Sequence, residues 1–466
     1  MHVDVLVIGS GPAGQQAAIF ARRAGRSVVV VEKDSTVGGA CVHSGTIPSK
    51  TLRETAVYLA GLPRRTGGKI EVPRDTRTCL QSLMSRLEQV VASHTDSIAA
   101  TLARNNIEVV RGRARFTSPH SVQVLQVRGR TQDITADFVV IASGSRPRAP
   151  GNVPVDHDNV LDSDSLLAMV YLPQSLTVLG GGVIASEYAS IFASLGVTVT
   201  MVDKAPRPLM FLDAELSELF VQRFNAYPNC RYLGSQEIVE VKWDGLAAVE
   251  TRLKTGEVVR SEKVLCALGR VANLEHLCVD AAGLAANARG VLDVDAHGRT
   301  AVPHIYAAGD VAGPPALASS AFAQGRRAVC HAFGLPEGAS AALIPTGIYT
   351  VPEMASVGLT EVQAREKHGE IRIGRASFGE IARGHISAGT DGMLKLISDA
   401  DGHVLGVHVL GEGATELVHL AQMAMVSHAT IDVFIDNVFN FPTLAEAYRV
   451  AAERIAADIR VATVAV

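Results

Sequence analysis

Two stretches of this chain share one hydrophobic rhythm. Residues 3–8 (VDVLVI) form a short apolar, β-branched run, a helical period follows over about 12–24, and a second apolar run at 27–31 ends on Glu32. Residues 175–203 repeat it as strand, helix and strand, and end on Asp203. Each predicts a strand–turn–helix–strand unit of a doubly wound α/β domain. Between them the pattern predicts a helix over 48–60, an irregular Pro/Gly/Arg-rich loop over 61–80 and a long amphipathic helix over 81–104. Leu83, Leu87, Val90, Val91, Ile98 and Leu102 mark the apolar face of that helix. Short strands follow to about residue 136, then a buried strand within 137–147. From about Ile344 the rhythm changes to antiparallel strands (ALIPTGIYT, MLKLISD, VLGVHVL) and helices over 415–428 and 443–460.

The turns inside the repeated units carry the first chemistry. Gly9, Gly11 and Gly14 are spaced G-x-G-x-x-G, and Gly180, Gly182 and Ala185 are spaced G-x-G-x-x-A. The first glycine allows a tight turn, the second lets backbone approach a pyrophosphate, and a small third residue permits close helix–strand packing. The N–H groups at the start of each helix then face the phosphates. Glu32 is placed to accept both ribose hydroxyls of an adenosine. Asp203 accepts the 2′-hydroxyl of NAD and repels the 2′-phosphate of NADP, while Lys204 and Arg207 either soften that repulsion or are ordinary solvated charges. Near the C-terminus Thr443 and Glu446 read as T-x-x-E, a capping box for the last helix.

Composition removes several alternatives. The 466 residues suffice for two or three domains, and 47% hydrophobic with 19% charged residues describes a packed protein and not a disordered one. A net charge of −4 makes no electrostatic case for nucleic acid. No apolar run reaches membrane-span length, and the N-terminus reads as a strand and not a signal peptide. Cys41, Cys79, Cys230, Cys266, Cys278 and Cys330 are scattered with no C-x-x-C, which predicts no disulfide scaffold, no metal site and a cytoplasmic location.

The stretch 38–50, GGACVHSGTIPSK, resembles the active-site segment of the flavin-dependent pyridine nucleotide–disulfide oxidoreductases, where two cysteines form a redox disulfide beside the flavin. Here Cys41 holds the first position and Thr46 the second. The resemblance runs through essentially the whole chain. It implies two Rossmann-like dinucleotide domains, one for FAD and one for NAD(P), and a C-terminal α+β interface domain that forms a homodimer or higher oligomer. The divisions it suggests are 1–150 and 273–343 for FAD, 151–272 for NAD(P) and 344–466 for the interface. It assigns Gly9, Gly11, Gly14, Glu32, Gly144, Lys50 and Asp310 to FAD, with the N–H groups of Leu317 and Ala318 at the flavin's pyrimidine edge. Gly180, Gly182, Ala185, Glu187, Asp203 and Gly269 fall to the nicotinamide nucleotide. Lys50 and Glu187 are implied to pair beside the flavin.

Two parts of the disulfide half-reaction are replaced. Thr46 stands for the flavin-proximal cysteine, and Phe441, in NFPTLAE, stands for the histidine of a His–Glu acid/base dyad. A phenyl ring transfers no proton, so Glu446 is left with the capping role or a remnant of the dyad. Cys41 is left as a lone thiol, packed near the flavin or redox-active between molecules. Within the family, the sequences G-T-I-P-S-K (45–50), TLRE (51–54) and NFPTLAEAYR (440–449) resemble the soluble (Si-specific) pyridine nucleotide transhydrogenases. The implied activity is hydride transfer from NADPH to NAD+ through FAD without a redox disulfide, with NAD(H) and NADP(H) as substrates. The alternatives are an NAD(P)H diaphorase or quinone reductase, a dihydrolipoamide dehydrogenase-like protein lacking disulfide activity, and a non-enzymatic flavoprotein switch.

Overall fold

The computed structural model describes residues 1–65, 76–338 and 343–464. The chain divides into two compact units. The first comprises Met1–Thr51, Met84–Arg148 and Gly269–Ala341, and the second Leu52–Leu83, Ala149–Leu268 and Ala342–Val466.

The first unit is built on a seven-stranded sheet. β1 (His2–Ile8) lies parallel between β2 (Val28–Glu32) and β6 (Thr131–Ile141). β3 (Glu108–Arg111) extends it beyond β2, β4 (Arg113–Ser118) and β5 (Ser121–Leu125) add an antiparallel edge, and β17 (Ile305–Ala307) pairs with β6. All of β2 is buried, as expected of a parallel strand covered on both faces. On one face α1 (Pro12–Arg23) and α7 (Ala318–Ala332) pack through Ala13, Ala17, Ala321 and Ala328. Small residues are required there. A Cβ on Gly14 would lie 1.9 Å from the Gly9 carbonyl oxygen, and one on Gly325 2.0 Å from that of Ala13. A two-stranded ribbon, β7 (Ser145–Pro147) with β16 (Arg270–Ala272), completes this unit.

The second unit holds the repeat. β9 (Ser175–Leu179) and β10 (Thr198–Val202) flank α5 (Val183–Ser194), and they pair parallel in a sheet with β8 (Val160–Leu161), β11 (Arg231–Leu233) and β15 (Lys263–Cys266). A three-stranded meander follows, β12 (Ile238–Trp243), β13 (Val249–Leu253) and β14 (Val258–Ser261). Its C-terminal part is an antiparallel sheet ordered β18 (Thr346–Ile348), β19 (Met354–Gly358), β22 (Val404–Leu410), β21 (Met393–Asp399), β20 (Ile371–Ser377). Its core includes residues of α10 (Ala414–Val426) and α12 (Glu446–Val464).

A buried ion cluster joins the two parts of this unit. Lys395 on β21, 1% exposed, places Nζ 2.9 Å from Asp213, 2.9 Å from Glu215 and 2.7 Å from Glu361. Asp213 also caps α6 (Ala214–Asn225) and accepts the Glu361 amide at the start of α8 (Glu361–His368). Burial opposes the Lys395 charge, but hydrogen bonds to Glu361, Asp213 and Glu215 overcome it and raise the ammonium's pKa.

Two expectations are corrected. The loop expected over 61–80 is helix at both ends, because α3 (Thr46–Arg65) runs past Gly61 and Pro63 and α4 (Thr76–Arg104) starts before residue 81. A proline near a last turn removes a single backbone hydrogen bond, so composition overstated the break. Residues 66–75 lie outside the described residues. The capping box at Thr443 and Glu446 does not form either. The Thr443 hydroxyl donates to the Asn440 carbonyl at 2.8 Å, and Glu446 pairs with Arg449 at 3.1 Å. Among the described residues no helix is long and apolar enough to cross a membrane.

Candidate functional site

In the first unit the turn after β1 is closed by an acid. The Ser10 amide and hydroxyl donate to Glu32 Oε2 at 2.9 and 2.6 Å, and the Asp34 amide donates to Oε1 at 3.0 Å. A carboxylate offers roughly four acceptor positions, so Glu32 keeps acceptor capacity for ribose beside these three donors. The Gly38 amide donates to Ser10 Oγ at 3.0 Å, which ties the turn to the 38–50 segment.

That segment folds as a short helix α2 (Gly39–His43) followed by α3. Close approach again dictates glycine, since a Cβ on Gly39 would lie 3.0 Å from Gly11 Cα. Burial pushes the Cys41 thiol up, against a hydrogen bond from Thr46 and the charge of Lys50. Cys41 is therefore a protonated thiol near neutral pH, without the low pKa of a reactive cysteine. Cys41, Cys230, Cys266, Cys278 and Cys330 form no disulfide among the described residues, and the side chain of Cys79 lies outside them. Lys50 is half-buried, with Nζ 3.2 Å from Ser49 Oγ.

Asp310 follows β17 and accepts the Ser145 hydroxyl at 2.5 Å. Arg270 in turn holds Ser145 through its hydroxyl and its carbonyl, both at 2.8 Å. Gly309 donates its amide to Gln324 Oε1 at 2.7 Å, which fixes the turn before Asp310. Gly144 and Gly269 occupy positive-φ turns on either side of the β7–β16 ribbon.

The second unit repeats the turn with a different lock. A Cβ on Gly181 would sit 2.2 Å from Asp203 Oδ2, so the acid occupies the space a side chain would need. Asp203 accepts the Lys204 amide at 2.8 Å; burial raises its pKa against that bond and one from Ala205. Lys204 is exposed, and Arg207 donates to Ser217 Oγ at 2.9 Å. Glu187 on α5 is only 3% exposed, which excludes a solvated helix carboxylate. Its Oε1 accepts the Tyr349 amide at 2.9 Å, and Ser190, one turn on, accepts the Val351 amide at 3.0 Å. The same strand end is held by Arg53, which donates to the Thr350 carbonyl at 3.1 Å and pairs with buried Glu353 at 2.9 Å.

Phe441 is 69% exposed and Glu446 is 6% exposed, with Oε2 bonded to nothing among the described residues. The ring thus does not take a histidine's place as partner to the acid.

Several observations test whether dinucleotides fit. α1, α5 and α7 start without a side-chain cap, as do α2 and α10, whereas α6 and α8 are capped by Asp213 and Thr360. Built Cβ atoms on Gly11 and Gly182 meet nothing within 4 Å. Ser143 Oγ and Ser320 Oγ in the first unit and Ser186 Oγ in the second are buried with no partner among the described residues. Uncapped N-termini over open glycines, with orphaned hydroxyls nearby, suit phosphate-bearing ligands, so the residues fit FAD in the first unit and NAD(P) in the second.

Sequence reasoning missed Ser10, Ser145, Arg270 and Tyr349. Ser10 is the variable residue of G-x-G and Arg270 directly follows Gly269, but their bonds cross 22 and 125 residues of sequence. Tyr349 acts through its amide and leaves no side-chain signal.

Comparison with known proteins agrees with this geometry. Residues 3–325 match the family described as pyridine nucleotide-disulphide oxidoreductase, and residues 344–452 match its dimerisation domain. Proteins named soluble pyridine nucleotide transhydrogenase are similar over nearly their full length. One from Mycobacterium bovis (strain BCG / Pasteur 1173P2) is 41% identical over 96% of both chains, and one from Vibrio vulnificus (strain YJ016) is 39% identical over 97% of both. Among solved structures, LpdA from Mycobacterium tuberculosis superposes with a TM-score of 0.89 at 27% identity, covering 97% of this chain and 99% of that one. The HOCl-induced flavoprotein disulfide reductase of Escherichia coli does so at 0.87 and 25%, with the same coverage.

Proposed function

The chain belongs to the pyridine nucleotide-disulphide oxidoreductase family, and on that premise we propose that it transfers hydride between NADPH and NAD+ through bound FAD, as a soluble-type transhydrogenase. The observation that carries this reading is the double replacement, Thr46 at the second cysteine position and an exposed Phe441 at the histidine position, in a chain whose two dinucleotide turns are intact. FAD, when bound, supplies reversible hydride acceptance.

The chain's own residues bind and orient. In this reading the uncapped start of α1 and the Ser10–Glu32 lock hold the FAD pyrophosphate and ribose, and Asp310 is aimed by Ser145 and Arg270. The start of α7, at Leu317 and Ala318, offers N–H groups and a positive dipole end where negative charge develops. Lys50 supplies a cation on the first unit. Glu187 supplies a carboxylate whose orientation the Tyr349 amide sets. Gly180, Gly182, Ala185 and Asp203 receive the nicotinamide nucleotide. Cys41 stays a protonated thiol and carries no electrons, and Glu446 has no histidine to orient. The domain divisions at about 150, 272 and 343, a homodimer formed through the C-terminal part, and a cytoplasmic location belong to the same reading. The dimerisation-domain match supports a homo-oligomer.

The test is direct. Purified holoprotein given NADPH and thio-NAD+ should form reduced thio-NAD at a rate far above its quinone reduction. Rapid quinone reduction without nucleotide exchange would establish the diaphorase reading instead. Lipoamide activity in the unmodified protein would overturn the argument from Thr46 and Phe441.

A further inference from the structure

We propose that His297, His331 and Glu337 form a binding site for a divalent first-row transition ion of the zinc class, separate from the nucleotide sites. One ligand atom from each residue lies within 4.8 Å of the other two. Tetrahedral zinc with bonds of about 2.0–2.1 Å spaces its ligands by about 3.3 Å, so ring rotations of an ångström or so close the set.

The three residues come from three places in the first unit. His297 sits in the turn that Asp295 closes, where Asp295 Oδ1 accepts the amides of His297 and Arg299 at 2.9 Å each. His331 is in the last turn of α7, and Glu337 is in the loop beyond it. Arg326 donates to the Glu337 main-chain carbonyl at 2.7 Å, fixing the chain without consuming the carboxylate. Arg327 Nε lies 3.9 Å from Glu337 Oε2, beyond hydrogen-bond distance.

The side-chain geometry favours ligation. The two imidazoles stack with centroids 4.2 Å apart and planes 19° apart. His331 Nδ1 lies 2.9 Å from the Tyr306 hydroxyl oxygen. A phenol oxygen accepts as well as donates, so Nδ1–H can point to it and leave Nε2 for the metal, the outer-shell arrangement common to ligating histidines. His297 Nδ1 lies 2.8 Å from Glu337 Oε2, a proton bridge that an ion would replace. His297 and Glu337 are 41% and 24% exposed, so an ion can enter and water can fill a fourth position. Two imidazoles with one carboxylate suit zinc and its neighbours and not magnesium. The expectation of no metal came from linear spacing, and these residues are 34 and 6 positions apart in sequence.

The test uses FAD-loaded protein stripped with chelator and titrated with zinc against a chromophoric indicator. The wild type should bind one ion per chain that the double variant His297→Ala, Glu337→Gln does not bind. Tyr306→Phe should weaken binding roughly 10–100-fold, and added magnesium should not displace zinc. The double variant should keep its flavin absorbance and hydride exchange, since neither residue belongs to the nucleotide sites. Equal zinc binding by wild type and double variant, whether none or at other groups such as exposed Cys278, would overturn the proposal. Displacement by magnesium would overturn the ion class.

Discussion

The turn at Gly9–Gly11 and the turn at Gly180–Gly182 have the same backbone plan and opposite treatment of the acid. In the first, Ser10 fills the middle position and bonds Glu32 twice, and Glu32 is 4% exposed. In the second, Gly181 leaves the middle position empty, Asp203 moves into it, and no side chain of the turn bonds the carboxylate. The first acid is set before any ligand arrives. The second is held by neighbouring amides and is half-buried. A preset acid suits a cofactor that stays, because its ordering cost is met during folding. A loosely held acid suits nucleotides that come and go, with and without a 2′-phosphate. A single residue between the glycines thus sets how firmly each turn holds its acid.

The largest expected effect comes from breaking the first lock. Glu32→Ala leaves the Ser10 amide and hydroxyl unpaired at a buried site, about 1–3 kcal/mol each. The protein should purify largely without flavin, read from its visible absorbance. Full flavin occupancy would show that Glu32 is not needed for retention. Next is Asp203→Asn, which removes a charge facing the 2′ position. The ratio of kcat/KM for NADPH to that for NADH should rise about tenfold, some 1.4 kcal/mol, and an unchanged ratio would remove Asp203 from specificity.

Ser10→Gly copies the second turn into the first. Two hydrogen bonds are lost, one to Glu32 and one from the Gly38 amide; the one that reaches the acid, about 1 kcal/mol, should speed flavin release about fivefold in dialysis, and unaltered release would mean that Ser10 adds nothing to the hold.

The smallest effect is a pH trend. Burial raises the Asp203 pKa from the ordinary aspartate value. As pH falls through that raised value the carboxyl neutralises, so preference for NADP(H) over NAD(H) should increase on acidification. The 2′-phosphate, which titrates near pH 6, adds a pH dependence of its own, and Asp203→Asn separates the two, since the part of the trend due to Asp203 should vanish in it. The stability sign is consistent. A carboxylate raised by burial costs stability above its folded pKa, and that cost disappears as pH falls below the unfolded value.

Much of this comparison was legible in the chain. Apolar runs ending on Glu32 and Asp203 located both units, and Gly14 and Ala185 marked close packing before any coordinates. What stayed hidden were bonds between residues far apart in sequence. Ser145 to Asp310 spans 165 positions, Tyr349 to Glu187 spans 162, and the histidine cluster draws on a turn, a helix end and a loop. At 61–80 and at Thr443 with Glu446 local patterns misled for a related reason. Gly and Pro mark breaks that a long helix can run through, and T-x-x-E caps a helix only if the chain enters at the right angle, whereas Thr443 turns back to Asn440.

The cluster around Lys395 constrains how this sequence can change over time. One ammonium serves three carboxylates, two of them shared with other cations, since Glu215 also meets Arg375 and Glu361 meets Arg365. Losing either of those acids first leaves the ammonium still paired. Losing Lys395 first strands Asp213, 3% exposed, with its charge unmatched, a loss of the kind that costs about 3–5 kcal/mol. Substitutions here are therefore ordered: descendants can shed Glu215 or Glu361 singly, while the lysine can go only after or together with Asp213.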